Sequence, residues 1–194
     1  MVDVQAPSAV SRIVFKQLLD GDWKKFEAKS NISQTGGGAR DIRFGNWPSM
    51  QRALGKLFPG RTSDWRKRGG VRRMVELYVG NLCWLEDGNL VTKEALIESP
   101  TDVRAKEARL AKVPKYNCFK FALPKEGAGR LIALLIQRED GSVWPRVVTE
   151  RSLEYDDWDS RVSDFLLSAL NATRKKGNAA YGFIDFTTSE KFVR

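Results

Sequence analysis

Two Asp-Gly dipeptides do most to constrain how this chain can fold. Asp87-Gly88 and Asp140-Gly141 each lie between apolar runs, and Asp-Gly readily adopts the positive backbone angles of a tight hairpin turn. Each dipeptide therefore predicts a pair of antiparallel strands. Before the first, Val75, Leu77 and Val79 alternate with charged and polar residues from Val71 onward, the period of a strand with one buried face. Before the second, residues 131–136 form an unbroken apolar run of strand length, which predicts a central strand with 143–149 folding back as its partner.

The other elements follow from period and punctuation. Residues 11–19, with Ile13, Val14, Phe15, Leu18 and Leu19, predict a short amphipathic helix ending at Asp20-Gly21. Residues 23–29 and 39–44 predict strands on either side of the polar loop SNISQTGGG. Asn46-Trp47-Pro48 opens a helix that presents Met50, Ala53, Leu54, Leu57 and Phe58 and stops at Pro59-Gly60. The stretch SDWRKRGG reads as a basic loop around Trp65. Residues 160–176 carry Val162, Phe165, Leu166, Ala169 and Leu170 on one helical face, with Asp157 or Asp159 as cap and Gly177 as stop. Residues 181–186 predict a last strand. This order is not βαβα, so the expected architecture is mainly β or α+β: one barrel-like domain over residues 1–194, with about seven or eight strands and flanking helices.

Composition narrows function. The 194 residues contain no histidine, which removes imidazole-based triads, dyads and metal sites. Cys83 and Cys118 are too few for a disulfide framework and read as reduced thiols. There is no apolar run of about 18 residues and no basic, apolar leader, so a cytoplasmic, nucleoid-associated location is expected, with no membrane partner. Lys and Arg number 33 against 24 Asp and Glu, a net +9. The excess is local: residues 11–73 hold fifteen bases and five acids, and the remainder is nearly neutral. A polyanion-binding surface requires such segregation; a solvated basic face is the alternative.

Three motifs bear on chemistry. QTGGGARD lacks the Gly-Lys-Ser/Thr of a phosphate-binding P-loop and the GxGxxG of a dinucleotide site. Its backbone amides, with Gln34, Thr35 and Arg40, suit phosphate contact and base-edge reading, unless it is simply an exposed hairpin tip. Glu27-Ala28-Lys29 matches the E-x-K half of a PD-(D/E)xK nuclease, but Asp20 and Asp22 lie too near to supply the upstream acid. No catalytic residue and no metal ligand is therefore assigned. Glu107-Ala108-Arg109 sits among Arg104, Lys106, Lys112 and Lys115; it reads either as an exposed helix with salt bridges at i,i+4 or as a carboxylate and guanidinium that read cytosine and guanine.

The stretch KFEAKSNISQTGGGARDIRFGNWPSMQRALGKLFPG, residues 25–60, resembles the N-terminal effector-binding domain of EcoRII-type restriction endonucleases. A second stretch, residues 104–136, is similar to that family's later DNA arm. The resemblance implies a B3-like DNA-binding pseudobarrel that grips the major groove of double-stranded DNA with two arms and recognises a CCWGG-like site. It implies a non-catalytic segment of a type II restriction enzyme. The domain itself needs no cofactor and no small-molecule substrate, and Mg²⁺ is expected only for a parent nuclease domain. Carried over by position, the first arm spans residues 29–43 and the second 104–115, with Glu107, Arg109 and Lys112 matching best; Ala108 departs from the family, which has a base there. The expected DNA contacts are Lys24, Lys25, Lys29, Ser30, Asn31, Gln34, Thr35, Arg40 and Arg43 in the first region. Arg66 and Arg68 follow in the basic loop, then Arg104, Lys106, Glu107, Arg109, Lys112 and Lys115. A monomer is expected. The alternatives are a Mg²⁺-dependent PD-(D/E)xK nuclease and a non-specific nucleic-acid binder.

Overall fold

Both predicted hairpins form. In the computed structural model, which describes residues 10–19, 41–68, 70–101, 106–111, 129–156, 158–174 and 179–194, strand β4 (Val71–Glu86) turns at Asp87-Gly88 into β5 (Asn89–Glu98). Both turn residues have positive φ, 49° and 82°, as a two-residue turn matched to strand twist requires. Strand β7 (Leu131–Arg138) pairs antiparallel with β8 (Val143–Thr149). There the Asp140 carboxylate accepts bonds from the Ser142 amide and hydroxyl, and Gly141 takes φ 82°.

Further strands are β1 (Val10–Leu18), β2 (Ile42–Phe44), β3 (Gly60–Arg68), β6 (Ala108–Ala111), β9 (Tyr181–Asp185) and β10 (Glu190–Val193). The helices are α1 (Trp47–Leu57), α2 (Glu150–Tyr155) and α3 (Ser160–Arg174). The described strands join one sheet in the order β10-β9-β1-β7-β8-β4-β5-β6-β2, with β3 paired to β4 beside that path. The protein is mainly β, and the sheet curls into an open half-barrel.

Two cores flank this sheet. Inside the curl, Val14, Leu18, Ile42, Phe44, Tyr78, Leu82, Ile97 and Leu110 pack against Met50, Ala53, Leu54 and Leu57 of α1. On the other side, Ile13, Phe15, Ile132, Leu134 and Ile136 pack against Leu153 of α2 and Val162, Leu166, Ala169 and Leu170 of α3. The Asp159 carboxylate accepts from the Arg161 amide at the start of α3, so the predicted cap is Asp159.

The expected helix over 11–19 is instead β1. Its successive residues serve both cores, Val14 one and Ile13 and Phe15 the other. A strand covered on both faces shows an apolar run with no alternation, and such a run resembles a buried helix. The basic loop around Trp65 is instead β3, and β6 replaces the exposed helix considered around Arg109. Ten strands are described where the sequence predicts seven or eight. The predicted strand at 23–29 lies outside the described residues.

A buried charge cluster links β1, β7 and β9 to the end of α1. Arg12, on β1, donates to Asp185 Oδ2 at 3.0 and 2.7 Å and also to the Gln137 side-chain oxygen. Lys56, near the end of α1, donates to the same carboxylate at 2.8 Å, and Thr187 donates to its other oxygen at 2.6 Å. Burial pushes the Asp185 pKa up, but the donors from Lys56, Thr187 and Arg12 together hold it well below the usual carboxylate range.

Candidate nucleic-acid interface

Strand β4 is sixteen residues long, but β5 pairs only with Leu77–Glu86. Its first six residues pair with β3 alone, from Arg68↔Val71 to Ser63↔Glu76. At about 3.4 Å per residue this leaves a two-stranded ribbon projecting roughly 20 Å beyond its β5 partner. Residues 60–76 hold six bases (Arg61, Arg66, Lys67, Arg68, Arg72, Arg73) against Asp64 and Glu76.

Pairing sorts the ribbon into faces, because directly opposed residues share a side. Arg66 lies opposite Arg73, and Lys67 opposite Arg72. Like charges placed across strands repel, and Asp64, 3.1 Å from the Arg66 guanidinium, offsets part of that repulsion. Next to the Arg66–Arg73 pair, toward the root of the ribbon, Trp65 lies opposite Met74. Both are 53% exposed, as is Val71, so three of the five exposed large hydrophobic residues among the described ones lie on this ribbon.

The root of the ribbon is fixed firmly. Val75 and Leu77 are buried with Leu96. Arg61 stacks over the Tyr78 ring at 3.6 Å and donates to the Phe58 carbonyl at 2.7 Å, while Gln51 of α1 donates to the Tyr78 hydroxyl at 2.7 Å. At Gly80 an added Cβ would lie 2.8 Å from the Phe58 ring and 3.0 Å from the Leu57 carbonyl. The absence of a side chain there lets α1 rest directly on β4.

The Glu107–Arg109 region serves differently. In register across the sheet, Leu77 faces Glu98, Glu98 faces Arg109, and Arg109 faces Arg43. Arg109 donates to Glu98 at 2.5 Å and to Asp41 at 3.4 Å. Arg43 donates to Asp41 at 3.3 Å and lies 3.7 Å from Glu107. Burial lowers the Arg109 pKa, against the pull of Asp41. The Arg109 guanidinium thus donates to two carboxylates, Glu98 on β5 and Asp41 just before β2. The network ties β5, β6 and β2 together.

The structure therefore brings together Arg43, Lys106, Glu107 and Arg109 of the expected contacts and sets Arg66 and Arg68 on the ribbon. Lys24, Lys25, Lys29, Ser30, Asn31, Gln34, Thr35, Arg40, Arg104, Lys112 and Lys115 lie outside the described residues, as do Glu27 and Cys118. The expected arms 29–43 and 104–115 meet the sheet on adjacent strands, because Ile42 pairs with Leu110. Arg72, Arg73 and Met74 were not singled out from sequence as a surface; the signal was the glycine at position 70, whose positive φ suits the turn that places them across from Lys67, Arg66 and Trp65. Among the described residues no group of three or more Cys, Asp or Glu is arranged to hold a metal ion, and no helix is long and apolar enough to cross a membrane. Comparison with protein-family profiles, curated protein sequences and solved structures finds no match.

Proposed function

We propose that the protein binds double-stranded DNA and that the β3–β4 ribbon is its principal contact. A single observation carries this reading: a two-stranded ribbon with paired basic residues and an exposed Trp65–Met74 pair on a well-anchored root. The major groove, about 12 Å wide, admits such a ribbon. Arg66, Arg68, Arg72 and Arg73 suit phosphates at the groove edges or guanine edges within it.

In this proposal the finer assignment follows the family resemblance. The chain acts as a B3-like, non-catalytic effector-binding domain for a CCWGG-like site, with the segments anchored at β2 and β6 as further arms. Arg109 is then a positioning residue, since its guanidinium holds the strands from which those segments leave. Glu107, 39% exposed in its side chain, lies 3.7 Å from Arg43 and would exchange that pairing for a cytosine amino group on binding.

Fluorescence anisotropy with a CCWGG duplex and a scrambled one, from 50 to 200 mM salt, tests the reading. Neutralising roughly six phosphates gives a log–log slope of about −5. Replacing Arg66 and Arg72 by alanine reduces that slope by about two. A slope near zero, or a slope unchanged by the double substitution, rejects the ribbon as the contact.

A further inference from the structure

A second group of cations lies beside the root of the ribbon, on β7 and β8. Strand β5 occupies one edge of β4, and β3 and then β8 occupy the other: β3 pairs with Val71–Val79, and Val143 of β8 lies opposite Leu82. Leu82 and Val143 belong to the core inside the curl. The next residue of β8, Trp144, therefore lies on the opposite face, where it packs on the core under α2 and α3. Alternation carries Arg146 to that face as well, directly across from Leu134. Arg138 completes the group at the end of β7, its guanidinium 5.0 Å from the centre of the Trp144 ring. We propose that Arg138 and Arg146 together bind a phosphate group.

Hydrogen bonds fix the frame of this site. In the turn, the Asp140 carboxylate accepts from the Ser142 amide and hydroxyl at 2.9 and 2.6 Å, and the Ser142 hydroxyl accepts from the Trp144 indole N–H at 2.9 Å. The indole is thereby oriented against Arg138. The Arg138 Nε is buried and has no hydrogen-bond acceptor. Arg146 is half-buried, and among the described residues it forms no hydrogen bond and no ion pair. No carboxylate offsets that burial: desolvation, and then the neighbouring charge of Arg138, lower the Arg146 pKa. Asp140 is the acid in range of Arg138. It is exposed, however, and its own pKa is lowered chiefly by Ser142, with Arg138 a lesser cause. A half-buried guanidinium without an acceptor, placed near a second one, is costly in the free protein. Phosphate oxygens supply acceptors to both in the geometry that guanidinium groups favour.

The phosphate has two sources: a free monoester, or the backbone of DNA held by the ribbon. The second rests on the DNA-binding reading, and position favours it. Alternation along β4 sets Arg66 and Arg73 on the same face as Trp144 and Arg146. From Arg73 to Leu82 the strand rises about 30 Å, the length of about nine base pairs. A duplex that extends along β4 from the ribbon reaches the arginine pair.

The test uses the full chain and three probes: inorganic phosphate, adenosine 5′-monophosphate and a 20-base-pair duplex. Binding is measured by calorimetry for wild type, Arg66→Ala/Arg72→Ala and Arg138→Met/Arg146→Met, the last keeping aliphatic length while removing both charges. For a backbone phosphate, wild type ignores the small probes, and the methionine variant binds duplex more weakly with a salt slope lowered by about two. For a free monoester, the methionine variant loses tenfold or more in phosphate and monophosphate affinity, and the ribbon variant matches wild type. In both cases the methionine variant unfolds at the same or a higher urea concentration than wild type, because the charges it removes have no acceptor in the free protein. Arg146→Gln, a milder change, carries the same signs with about half the change in slope. Wild type and methionine variant that agree on all three probes overturn the proposal, as does a wild type that binds none of them. Duplex binding that depends on the ribbon and not on the pair, without phosphate binding, rejects the proposal and keeps the DNA-binding reading. Phosphate binding lost in the methionine variant, with no duplex binding in wild type, does the reverse.

Discussion

Arginine does opposite work at two places in this molecule. Arg12, on strand β1, has a side chain 7% exposed and lies against an Asp185 carboxylate that is 2% exposed and shared with Lys56. The ribbon places Arg66 opposite Arg73 and Lys67 opposite Arg72 on an element that only β3 and β4 build. Where a cation and a carboxylate are buried together, losing one partner exposes the other to a large desolvation cost. Where cations are concentrated on an exposed ribbon, their removal changes little in the free protein and much in any complex with a polyanion. Arg109 stands between the two cases, partly exposed yet bound to Glu98 and Asp41.

Substitution at Asp185 gives the largest expected effect. Asp185→Asn leaves Arg12 and Lys56 without their shared carboxylate and lowers unfolding free energy by about 3–5 kcal/mol, read from urea denaturation at pH 7. The pH dependence has a definite sign. A carboxyl whose pKa is depressed on folding contributes stability above its unfolded pKa of about 3.9 and loses it as pH falls below that value toward the folded one. Wild type therefore loses stability below about pH 4 with a component that Asp185→Asn lacks. Parallel acid limbs in the two proteins would show that Asp185 is not the group responsible.

Arg109→Ala comes next, at about 1–3 kcal/mol, because Glu98 and Asp41 are left buried without its guanidinium. Since the residue positions the strands from which the arms leave, its loss should weaken binding to the CCWGG duplex and lower stability together. A selective loss on the CCWGG duplex, with stability unchanged, would return Arg109 to the role of a base-reading residue. On the ribbon, Arg66→Ala with Arg72→Ala should shift stability by no more than about 0.5 kcal/mol. The Arg66–Asp64 pair at 3.1 Å joins a side chain 25% exposed to one 52% exposed, so solvent screens it and it contributes little.

The same contrast explains what the sequence made legible. Asp87-Gly88, Asp140-Gly141 and the helix beginning at Trp47 carry local signals, and all three were readable. β1 was not, because both of its faces are covered and its apolar residues lose the two-residue period. β3 was not, for the opposite reason. With little apolar character on either face, Thr62, Ser63 and Asp64 carry no strand pattern, and the segment becomes a strand only through pairing with β4. The charge excess over residues 11–73 was visible, but it could not separate Arg12 from Arg66. Asp185 lies 173 residues from Arg12, and partners so distant are set by topology rather than by neighbouring sequence.

Trp65 gives the smallest expected effect on DNA binding and the most specific one. Its partner across the strands is Met74, and exposing both indole and thioether to solvent brings the free protein little gain from burial. In a groove the pair either stacks on bases or wedges against a base step, contributions of about 1–3 kcal/mol that do not involve counterion release. Trp65→Ala should therefore weaken duplex binding by about 1 kcal/mol at every salt concentration, lowering the log–log line without changing its slope. Trp65→Phe keeps an aromatic face and should recover most of that loss. A change in slope would assign the effect to displaced neighbouring cations. Equal affinity for wild type and Trp65→Ala would mean that the indole only packs on Met74 and that binding by the ribbon is electrostatic throughout.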